Sequence, residues 1–164
     1  MRPLLPGQQF ANLVARCDET GEELPLDRAC LLAAAVFDSG VAPDRYTRKL
    51  DALAARAATA SGRSSDPYAR IDGVLRTLFG EGGFRPNHGA YHEPGNSLLS
   101  SVLDRRIGIP ITLSIVLMET ARRVGLTLQG VGLPGHFVVR FPDASSRLVP
   151  KTRGKLGIRV ITSV

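Results

Sequence analysis

The sequence predicts an α+β fold: helices first, then strands packed on a central helix. Three observations predict it. The first eighty residues carry apolar side chains at helical spacing. Residues 80–95 (GEGGFRPNHGAYHEPG) are dense in Gly and Pro. The segment beyond them holds one strongly apolar helix, opened by Pro110, and two β-like runs.

Leu26 to Phe37 is apolar nearly all round, as a core helix would be. Pro43 and Asp44 open the next helix, with Tyr46, Leu50, Leu53, Ala54 and Ala57 as its apolar stripe. In SGRSSDP, Asp66 reads as an N-cap and Pro67 as a first helical residue. Tyr68, Ile71, Val74, Leu75, Leu78 and Phe79 then form one face, ending near Gly80. The Gly/Pro-rich stretch is a long loop. Asn96-Ser97 is placed to cap a helix whose face is Leu98, Leu99, Val102 and Leu103, with Gly108 as its stop. From Pro110 a central helix runs through Ile111, Leu113, Ile115, Val116, Leu117 and Met118, finishing polar with Glu119, Arg122 and Arg123 before Gly125. Leu126 to Leu133 and Phe137 to Phe141 are strands joined at Pro134-Gly135-His136. The expected organisation is a helical part over 1–80, a core segment over 81–141 and a basic tail over 142–164, forming one compact unit.

Composition bounds the function. With 164 residues, 43% hydrophobic and 22% charged, the chain is long enough to bury a core and is neither disordered nor fibrous. Its longest apolar run, Ile107 to Met118, is too short and too interrupted to span a bilayer, and MRPLLPGQQF has no signal-peptide core. A cytoplasmic protein without a membrane partner is expected. The net charge is +6, of which +5 lies from Val139 onward and only +1 in residues 1–138. The tail offers only scattered Lys and Arg rather than a basic face, so nucleic acid is not the expected partner.

The cysteines are too few for a disulfide framework and have no CxxC spacing. Cys30, in RACLLAAAV, reads as a buried thiol; Cys17, in VARCDETGEE, reads as partly exposed at a helix end. The three histidines are His88, His92 and His136. A zinc site would need His88 and His92 joined by His136 or Glu93; as loop residues they read as solvated, and no metal or other cofactor is expected.

Several motifs occur in one order: Asn96-Ser97, Arg105-Arg106, Gly108-Ile109-Pro110-Ile111, Ala121, Gly125-Leu126 and Pro134-Gly135-His136-Phe137. On these, residues 10–141 resemble the SirB-type family of bacterial proteins (the invasion regulator SirB group), a branch of the transglutaminase-like superfamily. The resemblance implies an N-terminal helical bundle on a truncated, papain-type core with a small antiparallel sheet. It implies that the Pro110 helix takes the place of the nucleophile helix and His136 that of the catalytic histidine. In such enzymes a cysteine at the helix start is activated by the helix dipole and the histidine. Here the superfamily's cysteine position falls at Pro110 or Ile111, neither a nucleophile; Thr112 and Ser114 are the nearest hydroxyls. After Phe141 the sequence departs from the family pattern, with neither the acid-bearing strand nor the C-terminal region of longer members. A truncation, a shifted frame or a divergent end would each account for that. The β-prone LGIRVITSV of the tail is a candidate replacement strand.

The leading expectation is a transglutaminase-like domain without its cysteine nucleophile, serving as a binding or regulatory module for an unidentified protein partner. Its cleft residues would be Asn96, Arg105, Arg106, Pro110 and His136. An architectural reading stands beside it: Asn96 caps a helix, the arginines pair with acids such as Asp104 or Glu119, and His136 bonds a loop carbonyl. The alternative function is a cysteine-dependent amide hydrolase or transferase, with Cys17 or Cys30 reaching His136.

Overall fold

The computed structural model describes residues 4–134, 136–141 and 160–162. Six α-helices occur among them: α1 (Pro6–Thr20), α2 (Leu26–Phe37), α3 (Pro43–Ala60), α4 (Pro67–Leu75), α5 (Leu99–Arg105) and α6 (Pro110–Arg123). A short parallel pair, β1 (Arg85–Pro86) and β2 (Ile107–Gly108), fastens the loop after α4. The main sheet has the order β3 (Gln129–Leu133), β4 (His136–Phe141), β5 (Val160–Thr162).

Local chemistry sets the helix ends. The Asp66 carboxylate accepts from the Tyr68 and Ala69 amides, capping α4 as its sequence implies. Proline occupies the first turn of α1, α3, α4 and α6, where its missing N–H costs nothing. The apolar face after Pro67 continues beyond Leu75 as a π-helical stretch, Arg76–Glu81. α5 begins at Leu99 without a side-chain cap, so Asn96 is not its N-cap. Its stop is also not Gly108 but Arg106, in the left-handed region at φ 60°. Gly108 serves packing instead: a Cβ there would lie 2.9 Å from Thr112 Oγ1 and 2.9 Å from Val102 Cγ2.

One core runs through both halves of the chain. Leu31 of α2, Leu50 of α3, Ile71 and Val74 of α4, and Leu99 and Val102 of α5 gather around Leu113, Val116, Leu117 and Ala121 of α6. Each fully buried leucine contributes about 1.5–3 kcal/mol of transfer free energy, which makes α6 the organising element. β4 covers α6 with Phe137, Val139 and Phe141, and Phe141 meets Tyr68 edge-on at 5.8 Å. α1 lies outside this core, joined to α2 by a small cluster of Leu13, Cys17, Ala29 and Leu32. Cys17 is therefore buried, because it faces α2 rather than a frayed helix end.

The sheet is small, as expected, but mixed. β3 and β4 are antiparallel, with Leu133 opposite His136, whereas β5 joins β4 in parallel, with Arg140 opposite Ile161. The tail thus supplies a strand from within LGIRVITSV. The rest of the 142–164 tail, with its basic residues, lies outside the described residues. No helix among the described residues is long and apolar enough to cross a membrane.

Candidate functional site

The first turn of α6 is fastened from below by a buried asparagine. Asn96 closes a 3₁₀ turn (Pro94–Asn96) and has no exposed surface. Its Nδ2 donates to the carbonyls of Ala90 (2.7 Å) and Tyr91 (3.1 Å). Its Oδ1 accepts from Asn87 Nδ2 (3.2 Å) and Arg105 Nη2 (3.0 Å). Its backbone carbonyl accepts from Thr112 Oγ1 at 2.7 Å. All side-chain hydrogen-bonding capacity of Asn96 is thereby used, which fixes its orientation and ties the Gly/Pro loop to α5 and α6.

Glu93 completes this ring. It pairs with Arg105 through one carboxylate oxygen and accepts from Asn87 Nδ2 (3.1 Å) through the other. Arg105 therefore pairs with Glu93, not with Asp104 or Glu119. Asp104 instead serves Lys49 and Tyr46; burial would raise its carboxyl, but those hydrogen bonds outweigh this and hold it below its ordinary value.

Above the ring, the helix start offers little chemistry. Pro110 is half-buried and Ile111 is 44% exposed. Thr112 is buried with its hydroxyl engaged, and Ser114 is fully buried with its Oγ unpartnered. Neither hydroxyl reaches solvent. His136 opens β4, but its imidazole lies outside the described residues, as does Gly135. Of the five residues expected to share a cleft, Asn96, Arg105 and Pro110 meet around the start of α6. Arg106 turns away, lining a groove against α3.

The thiols lie elsewhere. Cys30, on α2, has its pKa raised by burial and by the negative charges of Glu119 and Asp27. His92 stacks edge-on with Tyr91 at 5.3 Å, out on the loop. Among the described residues no three His, Cys, Asp or Glu side chains converge to hold a metal.

A second polar cluster was not anticipated. Glu119, expected on the polar end of α6, is 4% exposed, and Asp27 on α2 is 5% exposed. Arg123 bridges them: its Nη2 pairs with Asp27, its Nη1 with Glu119 (2.8 Å) and its Nε with Asp51 (2.7 Å). Burial pulls the Arg123 guanidinium down, but the hydrogen bonds to Asp27 and Asp51 prevail and hold it above its ordinary value. The spacing of Glu119 to Arg122 and Arg123 was a readable signal; Asp27, far away in the chain, was not.

Comparison with known proteins follows these contours. A family model described as the transglutaminase-like superfamily matches residues 44–156. The match thus passes Phe141 and takes in part of the basic tail. A UPF0162 protein of Xylella fastidiosa is 47% identical over 80 residues, covering 49% of this chain and 28% of that protein. A UPF0162 protein of Pseudomonas aeruginosa is 35% identical over 131 residues, covering 80% of this chain and 48% of that protein. F-box only protein 21 of Mus musculus is 34% identical over 71 residues, covering 43% of this chain and 11% of that protein. The chain spans half or less of the length of these relatives. No solved structure matches it.

Proposed function

The chain belongs to the transglutaminase-like superfamily, and from that premise we propose that it is a binding or regulatory module that has lost the superfamily's cysteine nucleophile. Its finer placement in the SirB-type branch rests on the ordered motifs from Asn96-Ser97 to Pro134-Gly135-His136-Phe137. One observation carries the functional reading. The first turn of α6 presents Pro110 and Ile111, and the two hydroxyls behind them are buried.

Papain-type catalysis needs an exposed thiol at a helix start, where dipole and imidazole lower its pKa. Ile111 is an apolar side chain at such a start. The rest of the scaffold remains, with Asn96, Arg105 and Glu93 holding the helix start in position. A rigid, apolar-tipped helix start suits recognition better than bond cleavage. The small share of F-box only protein 21 that is similar fits a module carried within larger proteins.

The competing reading, an amide hydrolase or transferase using His136, requires Cys17 or Cys30 to supply a thiolate. Cys17 is buried against α2, and Cys30 is shifted away from thiolate formation. The deciding experiment is the alkylation rate of each cysteine by iodoacetamide at neutral pH, followed by mass spectrometry of the intact chain. Labelling slower than free cysteine at both positions is expected. A single fast-reacting thiol, abolished by His136→Ala, would overturn the proposal in favour of the enzyme.

A further inference from the structure

A groove between α3 and the end of α5 combines charge and apolar surface in a way that the site on α6 does not use. Leu53, Phe84 and Leu103 form its floor; Lys49, Arg56 and Arg106 stand at its rim, with Glu81 beside Arg56 and one lining carboxylate, Asp104. That carboxylate is already engaged by Lys49 and by Tyr46 Oη at 2.8 Å. The rim is therefore electropositive, although residues 1–138 as a whole carry only +1.

Arg106 is the telling residue. It ends α5 at φ 60°, a left-handed conformation that favours glycine and costs a side-chain-bearing residue strain. Its backbone has work there: its N–H closes on the Val102 carbonyl and its carbonyl accepts from the Arg85 amide at 2.9 Å. Neither bond requires a guanidinium. Glycine would do both with less strain, so the arginine side chain has a separate use. One of the two ion pairs at the rim is weak. Arg56 meets Glu81 at 3.5 Å with both side chains largely exposed, and such pairs exchange readily for a ligand's carboxylates.

We infer that this groove docks an acidic peptide segment carrying one apolar side chain. The apolar side chain sits on Leu53, Phe84 and Leu103, and flanking carboxylates meet Arg106, Arg56 and Lys49. The hollow, about 290 Å³, has room for one apolar side chain. Charge complementarity supplies orientation, and guanidinium forks favour carboxylate partners. This site is independent of the start of α6 and goes beyond the reading given above.

The test is selection of a displayed random-heptapeptide library on the immobilised full chain, in parallel with Arg106→Gly. That variant keeps the left-handed backbone without strain, so an unchanged or raised melting temperature certifies its fold. Heptapeptides with several Asp or Glu around one Leu, Ile or Phe are expected from the parent chain. In fluorescence anisotropy the best of them, dye-labelled, should bind R106G about tenfold more weakly, the loss of one charge-assisted contact, and more weakly as salt rises. Arg56→Gln should act in the same direction. Enrichment of neutral or basic peptides, no enrichment, or equal affinity for R106G would each overturn the inference.

Discussion

The backbone carbonyl of Asn96 accepts a hydrogen bond from the Thr112 hydroxyl at 2.7 Å, joining a Gly/Pro-rich loop to the first turn of the central helix. The hydroxyl nearest the start of α6 is thus spent on architecture. Loop and helix start become one unit.

Thr112→Val should expose the importance of that bond. The substitution keeps the shape and removes the donor, leaving the buried Asn96 carbonyl with only the long Ile109 N–H contact of 3.4 Å. A loss of about 1–3 kcal/mol in urea unfolding is expected. Thr112→Ser should lose less, and a Val variant as stable as the parent would remove Asn96 from its central role.

Asn96→Ala should cost more. It takes the amide donor from the carbonyls of Ala90 and Tyr91, leaving Ala90 only its bond from the Glu93 N–H, and releases Asn87 and Arg105 together. We expect at least about 3 kcal/mol by denaturant titration, with hydrogen exchange rising first in residues 84–98.

Arg123→Met should be among the most damaging single changes outside the apolar core. It leaves the buried Asp27 and Glu119 with Arg122 alone, 2.8 Å from Glu119 but 3.8 Å from Asp27, a loss of about 3 kcal/mol. In the parent chain Arg123 itself adds no pH dependence between neutral and mildly acidic pH: its raised pKa keeps it charged in both folded and unfolded states. Melting curves of the two proteins at neutral pH measure the deficit, and curves of the parent at mildly acidic pH check that Arg123 adds no pH dependence.

Cys30 carries a pH prediction of its own. Burial and the neighbouring Glu119 and Asp27 push its thiol above the ordinary value, so the folded state disfavours its thiolate. Its alkylation rate should keep climbing through and beyond pH 9, where a free cysteine levels off. By linkage, a raised folded pKa leaves full stability present below the unfolded pKa, where the thiol is protonated in both states. Stability then falls as pH rises through the folded value. Above the unfolded pKa the shift is therefore a penalty. A rate that levels off near neutral pH would contradict the assignment.

Truncation after residue 159 tests the third strand. β5 covers the outer edge of β4 from Val139 to Phe141. Removing it should leave that edge open, with faster amide exchange in β4 and a tendency to self-associate. Unaltered exchange there would mean that β5 contributes nothing to the sheet.

Much of the helical frame was legible because its determinants are local. The apolar run from Leu26 to Phe37 forms α2 over those same bounds, and Pro110 starts α6. Asp66 caps α4 through amides two and three residues away. Where the reading failed, a local rule lost to a distant contact. Asn96 resembles an N-cap, yet its amide group is held by carbonyls of the loop before it and a guanidinium from α5. Gly108 resembles a helix stop, yet its missing Cβ makes room for Thr112 and Val102. Cys17 resembles an exposed helix-end residue, yet α2 covers it.

The sequence by itself determined the class of the fold, the order of its elements, the family resemblance and the lack of a cysteine at the head of the central helix. Each of these is written in residue types and short spacings. Only the tertiary structure decided which polar groups are spent holding the molecule together. The ring around Asn96 and the buried triad of Asp27, Glu119 and Arg123 bring together residues from separate elements. Burial there makes an unpartnered polar group costly, so the geometry of packing, rather than the local sequence, selects each partner.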